Sequence, residues 1–346
     1  MDNPTLMRYL QIYLFFSFIL VLAACTNHNE VDVSDIHLQV KIERFDQEMA
    51  RLQPSDLATE APLLQKKYGS FYNDYMQRML EVGSTSDTAY YKFLRIVLMN
   101  KDYKELKASV ASTYPDLKQR EGEFTDAFKH ILYYYPKQKL PRLISFLSGF
   151  AVQTPIGNDY IGIGLDMFLG ADSKFYPALR QSLPQYLTRR FTPENIVPRV
   201  LEVLIRENMF PQADQDRTLL SKMIYNGKIM YCMTAMMPHL ADTLKIGYKT
   251  KQMEWCKHNE ADIWAYFLDN DLLFETDYLK IQKYLSEAPF TPGVGEQSES
   301  APKLGIWTGW QIVKQYMDKN PKVTLQQLMS DKDAQRILRL SGYKPK

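Results

Sequence analysis

Residues 143–150 read LISFLSGF and residues 160–165 read YIGIGL, with the turn-rich stretch PIGND (155–159) between them. Both outer runs are short, apolar and rich in aromatic and β-branched side chains, which is the composition of strands. The Pro, Gly, Asn and Asp between them are turn formers. The expected arrangement is an antiparallel pair. Upstream, Ile36, Leu38, Val40 and Ile42 alternate with polar residues. That is the period of a half-buried strand, ending near Arg44-Phe45-Asp46. Almost everything else carries helical spacing. From about Pro54 to Leu132, Leu63-Leu64, Phe71, Tyr75, Met79, Tyr90, Phe93-Leu94, Val97-Leu98, Phe124, Phe128 and Ile131 recur at three to four residues, punctuated by Pro115 and Pro136. Helices resume at 183–190 and, after Pro193, continue nearly to the end; residues 289–302 (PFTPGVGEQSESAP) read as a loop. The expected class is α+β, predominantly helical with a small antiparallel sheet.

The N-terminus carries a separate signal. Residues 12–24 (IYLFFSFILVLAA) are almost wholly apolar, end in small residues and are followed by Cys25 and the polar run TNHNE. The apolar stretch is shorter than the ~20 residues a spanning helix needs and has the form of a cleaved secretory signal. A cysteine at the first mature position resembles the lipobox of bacterial lipoproteins. That resemblance implies a diacylglycerol and further acyl lipid such as palmitate on Cys25, and no other cofactor. The expected organisation is a signal peptide over 1–24, a lipidated tether over 25–34 and one domain over 35–346.

Composition narrows the partners. Forty-two Lys and Arg against forty Asp and Glu leave a net charge of +2, and no basic block interleaves with aromatics. Nucleic acid is therefore not an expected partner. Cys232 and Cys256 sit in apolar helical contexts, where buried free thiols are common. Export would permit a disulfide, and free thiols are the preferred reading.

Few residues look chemical. The helix opening at Thr192-Pro193 has an N-cap and a first-turn proline, but its body (Ile196, Val197, Val200, Leu201, Val203, Leu204, Ile205) is aliphatic and carries no histidine. The next helix, from Thr218, carries methionines that read as adaptable core filling and, in its middle, Asn226-Gly227-Lys228. Glycine there costs roughly 1 kcal/mol relative to alanine, so a close packing contact is expected. Glu254, His258 and Asp262 recur four apart, a spacing that could present metal ligands but more commonly gives i,i+4 pairs. Glu260 falls on a stripe with Cys256, Ile263, Trp264 and Phe267 and needs a partner, as a structural ion pair or a functional acid. Asp166 ends the IGIGLD run, which has glycines but no following GKS/T, so a phosphate loop is not supported. Gly305 and Gly309 suggest close backbone packing. None of the five histidines (28, 37, 130, 239, 258) lies in HExxH or HxH, and no G-x-S-x-G elbow occurs.

The order of motifs is itself distinctive. IERFD (42–46), IGIGLDMFLG (161–170), MIYNGK (223–228), WCKHNE (255–260), DAQRIL (333–338) and YKP (343–345), following the lipobox, resemble the gliding-motility lipoprotein GldB family of Bacteroidota. The likeness covers nearly the whole mature chain. That family resembles, more distantly, HExxH zinc peptidases with a downstream Glu-Gly. This implies a degenerate zincin-like scaffold: the helix over 193–207 would stand for HExxH, and Asn226-Gly227 for Glu-Gly. Zinc wants three N, O or S ligands and an open position, which an aliphatic helix does not supply.

The resemblance implies a lipid-anchored cell-envelope protein held at a membrane; Thr26 after Cys25, where an aspartate is associated with inner-membrane retention, points to the outer membrane, with the domain facing the periplasm. It would be a non-catalytic component of the gliding or associated secretion machinery with envelope protein partners. The alternatives are a divergent zinc peptidase using Glu254, His258, Glu260 or Asp166, and a lipoprotein binding a small molecule or glycan.

Overall fold

Three short strands, β1 (Ile42–Arg44), β2 (Arg142–Phe146) and β3 (Tyr160–Gly164), lie side by side in that order in a computed structural model that describes residues 31–212, 216–295 and 299–346. The signal segment and Cys25 fall outside the described residues. The pairings among these three strands are parallel: Ile42 lies opposite Leu143, Leu143 opposite Ile161, and Phe146 opposite Gly164. The antiparallel sheet expected from the sequence is therefore corrected to a parallel one.

The reason is where the chain turns. After β2 it does not fold straight back into β3. It reverses at residues 148–150, where Gly149 and Phe150 both take left-handed backbone (φ 65° and 64°). The PIGND stretch does make a hairpin, but its first arm is 153–157. Gly157 N–H donates to Tyr160 O (3.0 Å), Gly162 N–H to Pro155 O (2.8 Å) and Gly164 N–H to Gln153 O (2.9 Å). That arm covers the free edge of β3. It lies so close that a Cβ on Gly164 would stand 2.6 Å from the Val152 carbonyl oxygen. The expected strand over 36–46 shortens to Ile42–Arg44. Ahead of it, Val40 N–H bonds Thr125 Oγ1 (3.0 Å) and Ile42 N–H bonds Glu121 Oε1 (3.1 Å), so helix side chains replace a fourth strand.

Helices α1 (Phe45–Arg51), α2 (Leu57–Tyr68), α3 (Tyr90–Met99), α4 (Lys101–Thr113) and α5 (Lys118–Tyr134) form the crossover from β1 to β2. β2 and β3 bury almost every residue because both sheet faces are covered. Ile144, Phe146 and Tyr160 face an aromatic cluster with Phe45, Tyr68, Phe71, Tyr72 and Tyr75, whose rings meet mostly edge to face. Leu143, Ile161 and Ile163 face the larger core.

That larger core holds α6 (Ile196–Val203), α7 (Leu219–Met236), α8 (Thr250–His258), α9 (Glu260–Asp269), α10 (Leu304–Lys319) and α11 (Ala334–Ser341). Thr218 caps α7 by accepting from Ser221 N–H. Thr192 instead accepts from Asn195 Nδ2 (2.9 Å) ahead of a 3₁₀ turn, so α6 starts at Ile196. Cys232 and Cys256 are free and buried. No helix among the described residues is long and apolar enough to cross a membrane.

The zincin-like reading also fails. α6 buries Ile196, Val197, Pro198, Val200 and Leu201, while Gly227 is packed into a helix crossing and Asn226 bonds within its own helix. Neither element presents a ligand set to the other.

Candidate functional site

Asp166 sits on the turn after β3, fully buried, and reaches across to the reversal that follows β2. Its Oδ1 accepts from Ser148 N–H (2.8 Å), and its Oδ2 accepts from Ser148 Oγ–H (2.8 Å) and Phe150 N–H (2.7 Å). Burial raises its pKa against the pull of those donors. The carboxylate thus holds the backbone of a left-handed turn, and all three of its short contacts are within the fold.

Asn226 donates from Nδ2 to Lys222 O one turn back (2.8 Å), a contact inside its own helix. Gly227 meets the backbone of Gly309 on α10, and Gly309 in turn meets the Met223 carbonyl, so neither position has room for a Cβ. The expected close packing at Gly227 and at the α10 glycines is what forms.

Glu254, His258 and Asp262 do not share one helix. α8 ends at His258, Asn259 departs from helical geometry (φ −107°, ψ 21°), and Asp262 rides on α9. His258 is exposed, with Nδ1 2.8 Å from the Glu254 carbonyl oxygen. Glu260 finds a phenol, neither an ion pair nor a free cleft: its Oε1 accepts from Tyr343 O–H (2.8 Å), and the Tyr343 ring packs edge-on against Trp264. Burial first, then the Glu260 charge, pushes the Tyr343 pKa up, so the phenol keeps its proton. Among the described residues no three of His, Cys, Asp and Glu gather as metal ligands would.

A cluster of charges that the sequence reading missed is more substantial. Glu202, on a nearly apolar helix, accepts from Arg199 Nη1 (2.8 Å) and Arg206 Nε (2.9 Å). Nearby, Glu287 Oε1 accepts from Arg190 Nη1 (2.5 Å) and Lys303 Nζ (2.6 Å), and Lys303 also donates to the Ile246 carbonyl (2.6 Å). Burial would raise both carboxyls, but the Arg and Lys charges beside them outweigh it and hold both below the usual range. Burial pushes Lys303 down to about 8, against the pull of Glu287. Arg190 Nε and Glu287 Oε2 are buried without a partner. Neither touches solvent, so no ligand reaches them as the cluster stands. It ties α6, residues 189–190, Glu287 and the entry to α10 together. Its signal in the sequence was the i, i+3, i+7 recurrence of Arg199, Glu202 and Arg206 along the aliphatic run.

Two half-open cavities of about 320 and 330 Å³ flank the core. One is bordered by Tyr225, Lys228, Met329 and Asp331, the other by Arg120, Glu123, Glu194, Val197 and Leu240. Neither is lined by Asp166, Glu254, His258 or Glu260.

No curated protein and no solved structure matches the chain. The family model described as gliding motility protein GldB matches residues 26–345, from the residue after Cys25 to the last proline. With the match running the length of the folded body, the chain belongs to the gliding motility protein GldB family.

Proposed function

We propose that this protein is a lipid-anchored, non-catalytic component of the gliding or associated secretion machinery, held through Cys25 in the outer membrane with its domain in the periplasm. One observation carries the non-catalytic part of the reading. The side chains that could have served chemistry are either bound into the fold, Asp166 on a turn, Asn226 within α7 and Glu260 on Tyr343, or, like the exposed His258, gather no ligand set among the described residues. Family membership supports the machinery, and the apolar run ending at Cys25 supports the anchor. Thr26, rather than an aspartate, follows Cys25 and favours the outer membrane.

The covalent lipid and protein contacts are then the functional elements. Multiple acyl chains hold a protein firmly where one would not. Replacing Cys25 by Ala in cells should release a folded, soluble domain and abolish function that depends on the membrane. In-cell crosslinking of the native protein should capture envelope components of the motility or secretion machinery. Stoichiometric zinc in the purified protein, lost on His258→Ala, would overturn the non-catalytic reading.

A further inference from the structure

α3 reads YYKFLRIVLM, and one side of it is firmly seated: Tyr90, Leu94 and Leu98 are buried, and the Tyr90 hydroxyl meets that of Tyr72 at 2.5 Å. The opposite side is apolar and uncovered. Phe93, Ile96 and Met99, three residues apart, are 47%, 55% and 57% exposed. Lys92 and Arg95 are interleaved with them, both exposed, and the helix carries no acidic residue. Large apolar side chains with cationic neighbours on a surface helix are the pattern of a segment lying in a membrane interface.

We propose that α3 is a second membrane contact: its Phe93, Ile96 and Met99 face enters the interface of an anionic lipid bilayer while Lys92 and Arg95 meet the headgroups. This rests on the lipid anchor at Cys25. Ten residues separate Cys25 from Ile36, where the folded body begins. Fully extended they reach about 35 Å, so the tether confines the body to the bilayer surface and makes a weak second contact effective.

A second exposed apolar patch provides the contrast. Phe274, Tyr278 and Leu279 are 60%, 59% and 76% exposed, but Asp269, Asp271, Glu275 and Asp277 outnumber Lys280 and Lys283 around them in the sequence, and Lys280 is paired with Glu275. That charge is wrong for an anionic surface. If apolar exposure alone drove docking, Leu279 would be the better candidate; charge complementarity selects α3.

The test uses the full lipidated protein in vesicles of phosphatidylethanolamine and phosphatidylglycerol, with a nitroxide on Ile96→Cys or Leu279→Cys. Cys232 and Cys256 are buried, with thiol pKa values raised by burial, and the Cys25 sulfur carries the lipid, so labelling is selective. Collision with oxygen and with a water-soluble nickel complex then reports depth. The expected result is oxygen accessibility at 96 several-fold above that of nickel, reversed at 279 and reversed at 96 by Lys92→Glu with Arg95→Glu. A label at 96 as open to nickel as that at 279 overturns the proposal while the anchor stands. A label at 96 shielded from both probes means a protein covers α3, and also overturns it. Protein that fails to float with the vesicles overturns the anchor and this contact together.

Discussion

Gly227 on α7 and Gly309 on α10 touch through their backbones: a Cβ on Gly227 would fall on the Gly309 carbonyl, and one on Gly309 would fall on the Met223 carbonyl. Both clashes are with backbone, which cannot rotate aside as a side chain can. The two longest helices of the larger core besides α5 therefore approach only because both residues lack a side chain.

Gly227→Ala and Gly309→Ala should each destabilise the protein. Alanine gains roughly 1 kcal/mol in helix propensity. Overpacking a rigid crossing costs about 1–3 kcal/mol and more where backbone must move, so a net loss of about 2 kcal/mol is expected. Denaturant midpoints of the two variants measure it. The double variant should lose less than the sum, because one separation of the helices relieves both clashes.

Asp166→Asn tests the turn after β2. An amide keeps one acceptor oxygen, but its NH2 faces donors at Ser148 and Phe150. Losing charge-assisted bonds in a buried site should cost about 2–4 kcal/mol. Calorimetry of the variant gives the value; an unchanged melting temperature would mean the turn stands without its carboxylate.

The charge cluster should make stability fall in acid. Glu202 and Glu287 have pKa values below 4.5 when folded, so their contribution is present above about pH 4.5 and is lost as pH falls through the folded values. Glu287→Gln should flatten the dependence of stability on pH in that acid range. It should also weaken the protein by about 2–4 kcal/mol at neutral pH, since Arg190 and Lys303 would be left buried without their counter-ion. Urea titrations at pH 7 and pH 3.5 separate the two effects.

His258→Ala should change stability by no more than about 0.5 kcal/mol, because His258 is exposed and its ring lies against the Glu254 carbonyl of its own helix. Metal content measured before and after the substitution should be the same.

Much of this was legible in the sequence. Helical spacing marked the region containing α2–α5, and Gly227, Gly305 and Gly309 announced close backbone contacts. Strand direction differs from the antiparallel expectation, although the sequence carries a cue. A half-exposed antiparallel strand alternates, whereas residues 143–147 and 160–164 are nearly continuous apolar runs, the mark of strands covered on both faces. What hid the crossover was Asp166, eighteen residues beyond Ser148. A side chain that ties a loop from that distance leaves no periodicity to read. The Arg190–Glu287–Lys303 contacts were invisible for the same reason, since about a hundred residues separate Arg190 from its partner. Arg199, Glu202 and Arg206 do recur at helical spacing, but within so uniformly aliphatic a run that the charges do not stand out.

The proposed place of this protein at the membrane depends on the thiol of Cys25. The most direct measurement is the mass of the N-terminal peptide of the protein isolated from its native membrane. The expected peptide begins at Cys25 and carries a diacylglyceryl group with a further acyl chain. A peptide retaining residues before Cys25, or an unmodified cysteine at that position, would contradict the anchor and with it the proposed place of this protein at the membrane.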